Sequence, residues 1–129
     1  TQAHVLRAKV IARSLEHARL VPLYRAADVC LVTPLRDGMN LVAMEYVASR
    51  PDGGGALILS DQAGAIERLR DAWPVNPRHI TGVADTIAEV LRTPEEARAA
   101  RMQSLQRAVR EGDVHQWTSR FLGDLLGAG

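Results

Sequence analysis

Apolar positions along this chain fall into two patterns. Residues 28–33, Asp-Val-Cys-Leu-Val-Thr, and residues 56–60, Ala-Leu-Ile-Leu-Ser, are continuous apolar and β-branched runs. Runs of this kind predict strands buried on both faces, as in a parallel sheet. Pro34 stops the first run. Between them, Met39, Val42, Ala43, Tyr46 and Val47 recur at helical spacing, which predicts a helix over residues 38–49 with these side chains on its packed face. Residues 50–55, Arg-Pro-Asp-Gly-Gly-Gly, read as a flexible loop. Residues 64–70 read as a short helix. Trp73-Pro-Val-Asn-Pro77 reads as a short terminal strand near a sheet edge, because it is interrupted by prolines.

The flanks are helical. Val83, Ile87, Val90 and Leu91 form an apolar stripe over residues 81–92. Thr93-Pro-Glu-Glu96 predicts a helix start, with Thr93 capping, Pro94 in the first position and Glu96 completing a capping box; that helix runs to about residue 110. Gly112-Asp-Val breaks it, and Asp113 caps a last helix reaching residue 126. Upstream, Ser14 precedes a helix ending at Ala27, with its start near Arg19 or Leu20 so that Pro22 falls in the first turn. Residues 3–18 fit either a helical stripe or a strand at Lys9-Val-Ile-Ala12. Strands alternating with helices predict an α/β fold built from right-handed βαβ crossovers, with residues 29–33 and 56–60 as neighbouring central strands and a helical C-terminal segment.

Composition narrows the function classes. The 129 residues suit one domain, and 47% apolar with 24% charged is ordinary for a globular protein. A net charge of +1 gives no reason to expect nucleic acid or an anionic membrane surface as partner. No apolar run approaches a membrane span. The single cysteine, Cys30, lies in an apolar strand and is expected to be a buried, inert thiol, which fits a reducing cytoplasm. The start, Thr1-Gln-Ala-His, has no signal-peptide pattern and no methionine, so a fragment or processed product is expected.

The candidate chemistry lies in the turn Arg36-Asp-Gly-Met-Asn40, between the first strand and its helix. Open α/β sheets bind ligands at such junctions, and free amides at a helix start favour an anion. The amides of Gly38, Met39 and Asn40 would meet a phosphate there. Asp37, Leu41 and Glu45 lie four apart on one line of the helix. Asp37 at its start suits sugar hydroxyls, and Glu45 two turns on suits a pair of ribose hydroxyls. Both are then expected to face an open cleft. On spacing alone the plainer reading stands ahead: Asp37 as an N-cap and Glu45 as a solvated face residue. Arg36 can reach a phosphate or form a surface salt bridge. His4, His17, His79 and His115 lack metal-ligand spacing, and no metal is expected. Gly53-Gly-Gly55 is no phosphate loop, since no Lys-Ser/Thr follows it. Trp73 and Trp117 are expected to pack, and Ser60 has no His–Asp partner pattern.

Arg25-Ala-Ala-Asp-Val29 followed by Thr33-Pro-Leu-Arg-Asp-Gly-Met-Asn-Leu-Val-Ala-Met-Glu-Tyr46 resembles, nearly residue for residue, the signature of the trehalose-6-phosphate synthase family. Leu59-Ser with Ala63-Gly-Ala65 and Val75-Asn-Pro77 match further family segments, and the similarity runs over about residues 14–126. These are retaining glycosyltransferases with two Rossmann-like domains. The resemblance implies that residues 1–129 are a single partial nucleotide-sugar-binding Rossmann-like domain, with a parallel sheet flanked by helices, from the C-terminal portion of such an enzyme. It implies glucose transfer from a nucleotide donor (UDP-glucose first, ADP- or GDP-glucose open) to glucose 6-phosphate, with no cofactor. Asp37 would bind donor glucose as the catalytic-site carboxylate, and Gly38, Met39 and Asn40 would approach the glucose and diphosphate. Leu41 and Val42 would line the nucleotide side, and Glu45 would hold the ribose. Neither carboxylate need be a covalent nucleophile; positioning and electrostatics suffice.

The chain departs from the family by carrying Met44 where lysine is usual, which points to a lost cation in a surface contact or local charge balance. It also lacks the upstream diphosphate clamp and the acceptor-binding domain. The isolated chain is therefore expected to be inactive. A non-catalytic nucleotide-sugar-binding or regulatory module, an inactive remnant, a related synthase with another acceptor and a homo-oligomer all stay open.

Overall fold

The computed structural model describes residues 17–33, 41–50 and 54–111. Eight elements follow in order: α1 (His17–Ala26), β1 (Val29–Val32), α2 (Leu41–Ala48), β2 (Ala56–Ser60), a 3-10 turn (Gly64–Glu67), β3 (Trp73–Val75), α3 (Ile80–Arg92) and α4 (Glu95–Glu111). The expected elements at residues 3–16 and 113–126 lie outside the described residues.

The strands form one parallel sheet in the order β1-β2-β3. Val29 faces Ala56 and Val32 faces Leu59, so the two apolar runs pair in parallel as expected. Among the described strands β2 alone is central, and all five of its residues are buried. β1 and β3 flank it, and β3 is the short edge strand its prolines predict. The chain is thus a partial Rossmann-like parallel sheet with flanking helices and a helical C-terminal segment, α3 followed by α4.

The period of two along β2 divides the core. Leu57 and Leu59 pack with Val32, Tyr24 of α1, Ala43, Met44, Tyr46 and Val47 of α2, and Met102, Leu105 and Val109 of α4. Ala56 and Ile58 point to the other face and pack with Trp73, Val75 and Val90, joined by Val83 and Ile87 of α3. Leu31 shares the second face, being paired with Ile58, yet it is 44% exposed because α3 covers β2 and β3.

Several local expectations are corrected. α1 begins at His17, so Pro22 lies inside the helix rather than in its first turn; the helix forgoes one backbone bond there and is held by packing instead. Residues 64–70 yield only a 3-10 turn. The hydroxyl of Thr93 donates to the Glu89 carbonyl at 2.7 Å, closing α3. The carbonyl of Pro94 takes the first amides of α4, from Ala97 and Arg98, so Pro94 rather than Thr93 stands at the cap position. Leu91, expected in the apolar stripe, is 44% exposed.

Candidate functional site

β1 ends at Val32 and α2 starts at Leu41, so the residues joining them leave from the carboxyl end of a parallel strand. Asp37, Gly38, Met39 and Asn40, with Arg36, lie outside the described residues. Leu41 opens α2, and Val42 is exposed.

Glu45 departs from the expectation of a cleft-facing carboxylate. It is 4% exposed, and its Oε2 accepts a 2.9 Å hydrogen bond from the Tyr24 hydroxyl. The solvated-face alternative fails with it. The reason lies in how α2 is packed: Ala43, Met44, Glu45, Tyr46 and Val47 are consecutive and all buried, so the helix is enclosed by the sheet, α1 and α4 rather than lying on a surface. Val42, placed on the packed face by its spacing, is the residue left out. Met44 is 1% exposed within the core, so its side chain is a packing element and not a replacement for a surface cation.

A buried carboxylate needs a donor, and Tyr24 supplies one. Burial first, and then the nearby Glu45 carboxylate, push the Tyr24 phenol well above its ordinary range. It therefore remains a protonated donor throughout neutral and moderately alkaline pH. Tyr24 meets the Tyr46 ring edge-on, with centroids 6.3 Å apart. Tyr46 donates to the residue that follows α1, from its hydroxyl to the Ala27 carbonyl at 2.7 Å. Burial raises the Tyr46 phenol as well, and the Arg50 guanidinium opposes that shift.

Arg50, read from sequence as a loop residue, is 7% exposed and completes this junction. Its Nη1 donates to the carbonyls of Tyr24, Arg25 and Ala27, and its Nε to that of Gly54 at 3.1 Å. A cation is thus placed on the carbonyl end of α1, where the helix dipole favours it. The Arg50 carbonyl in turn accepts from the Gln106 amide of α4. Tyr24, Tyr46 and Arg50 are the residues that sequence spacing did not single out as a group. Tyr24 and Tyr46 share one signal, a hydroxyl tip among apolar helix positions; Arg50 follows the end of α2 and carries no such signal.

The remaining candidates separate. Trp73 packs, with the Arg101 guanidinium 3.9 Å above its ring. Ser60 is buried and accepts from the Gln62 amide at 3.0 Å, serving as a turn residue. Burial pushes the Cys30 thiol up to about 12, in keeping with an inert side chain. A cleft of about 250 Å³ lined by Asp28, Arg50, Gly54, Gly55, Glu95, Arg98 and Ala99 lies at the amino ends of β1 and β2, the end opposite Val32. No helix among the described residues is long and apolar enough to cross a membrane.

Comparison with known proteins supplies the context. The model of glycosyltransferase family 20 matches residues 7–126. The trehalose-6-phosphate synthase of Mycobacterium tuberculosis is 55% identical over 109 residues, covering 84% of this chain and 22% of that protein. The UDP-forming α,α-trehalose-phosphate synthase of Burkholderia vietnamiensis superposes with a TM-score of 0.75 at 41% identity, over 89% of this chain and 26% of that one. The Burkholderia xenovorans enzyme, solved in complex with glucose-6-phosphate, gives a TM-score of 0.75 at 44% identity, over 89% of this chain and 25% of its own. The chain therefore spans about a quarter of the length of the relatives it matches, and over that span it belongs to glycosyltransferase family 20.

Proposed function

We propose that residues 1–129 are a single partial nucleotide-sugar-binding domain, the donor-side portion of a trehalose-6-phosphate synthase. The complete protein transfers glucose from a nucleotide-glucose to glucose 6-phosphate with retention. The observation that carries this reading is the agreement in one stretch, residues 33–46, of family signature and topology: the segment joins the carboxyl end of a parallel strand to a helix. In this reading Asp37 holds the donor glucose, and the amides of Gly38, Met39 and Asn40 meet the sugar and diphosphate. Leu41 and Val42 line the nucleotide side, and Glu45 takes the ribose. UDP is the preferred nucleotide, supported by the UDP-forming description of the Burkholderia vietnamiensis relative. Glucose 6-phosphate as acceptor is supported by the Burkholderia xenovorans complex. A cytoplasmic setting suits both these charged metabolites and an unpaired thiol at Cys30.

The catalytic contribution of this portion is positioning and electrostatic stabilisation of the departing diphosphate, with no covalent intermediate on Asp37. The test uses a two-domain protein restored by joining this chain to the remaining portion of the mycobacterial relative. Asp37→Ala is expected to lower turnover far more than nucleotide affinity, because its partner is the transferring sugar. Turnover equal to that of the unaltered protein overturns the assignment.

A further inference from the structure

We propose that Tyr24 is a positioning residue of the donor site: its hydroxyl holds one oxygen of the Glu45 carboxylate so that the carboxylate is pre-aimed at the vicinal hydroxyls of a nucleoside diphosphate. The proposal rests on the reading of Glu45 as the ribose contact.

Four observations carry it. Tyr24 and Glu45 lie 21 residues apart on different helices, yet their tips meet at 2.9 Å in buried surroundings. A carboxylate sealed to 4% exposure keeps its orientation only if its partners are themselves fixed. Tyr24 is fixed: it is 5% exposed, packed edge-on against Tyr46, and part of the core shared by α1, α2 and α4. Its backbone is held as well, since Arg50 donates to the Tyr24 carbonyl at 3.4 Å and Tyr46 ties α2 to Ala27 just beyond it. A phenol anchored in this way acts as part of the frame. It is poorly placed to swing aside as a gate. Pre-orienting a carboxylate lowers the entropy lost when it grips a ligand, so removing the hydroxyl weakens binding while the fold survives.

The test titrates this chain with UDP by calorimetry, alongside Tyr24→Phe, Glu45→Gln, the double variant and Thr86→Val, with thermal melting of each. Tyr24→Phe should weaken UDP binding about three- to tenfold. The double variant should bind no more weakly than Glu45→Gln alone, since the tyrosine acts through the carboxylate. Thr86→Val, which loses a part-buried hydroxyl's bond to the Gly82 carbonyl within α3 and touches neither Tyr24 nor Glu45, should leave the constant unchanged. Unchanged or tighter binding in Tyr24→Phe overturns the proposal, as does equal weakening in Thr86→Val, which would mark a merely structural effect. A second reading needs no variant: the Tyr24 hydroxyl proton, followed by NMR, should stay protected from exchange at UDP saturation, and its loss would show displacement by the ligand and overturn the positioning role. No binding by the unaltered chain, or an unchanged constant in Glu45→Gln, overturns the donor-site reading itself and this proposal with it.

Discussion

Gly55 has a φ of 87°, and a Cβ built on it would overlap the Tyr46 hydroxyl. Gly55→Ala combines left-handed strain with loss of the Tyr46–Ala27 bond and should lower stability by about 1–3 kcal/mol in denaturant unfolding. Cys30 makes a pH prediction. Its folded value, about 12, exceeds its ordinary 9.0, so the protonated thiol is the form the fold favours. Stability from this group is fully present below 9.0 and is lost as pH rises through 9.0 toward about 12, where only the unfolded thiol ionises readily. Tyr24 and Tyr46 are shifted in the same direction and add to the alkaline loss. Unfolding midpoints measured from pH 8 upward should fall across that window, and a flat profile would contradict the burial of all three. The shielding of Cys30 was legible from its apolar strand, although the side chain is only partly buried. The burial of Glu45 was not, because the partner that makes it tolerable comes from another helix, and helical spacing carries no information about such a partner. Arg50 was hidden for the same reason: beside Pro51 and the glycines it has the composition of a loop, and only the carbonyl end of α1 makes it a buried clamp.

Among the elements, the strands were the most readable. β2 is buried on both faces, and the unbroken apolar run Ala56–Leu59 marks it, with the buried Ser60 ending the strand and taking the Gln62 amide. α2 was readable as a helix but not in its orientation, since a helix enclosed on several sides carries no single stripe. The junction between α3 and α4 misled because Thr93 faces two helices at once, and its hydroxyl closes the first. The Arg101 contact between α4 and β3 yields a test. Arg101 lies over Trp73 and also donates to the Asp71 carbonyl at 3.0 Å. Arg101→Ala should therefore cost about 1–2 kcal/mol in equilibrium unfolding, with the Trp73 fluorescence transition moving to lower denaturant. An unaltered midpoint would show that α4 is held without this contact.

At the scale of the molecule, the chain covers 22% of its Mycobacterium tuberculosis relative, and one-sided binding cannot orient both reactants of a glycosyl transfer. The 129-residue chain alone should form no detectable trehalose 6-phosphate from nucleotide-glucose and glucose 6-phosphate, and turnover by the purified chain would contradict this. The central claim is that the donor nucleotide is held where β1 hands over to α2. An NMR titration of the isotope-labelled chain with UDP tests it most directly, by following backbone amides along the whole sequence. Saturable shifts concentrated at Asp37, Gly38, Met39, Asn40 and Glu45, with Asp28 and Arg98 at the opposite cleft unmoved, are the predicted result. Shifts centred on Asp28 and Arg98, or none at all, would contradict it.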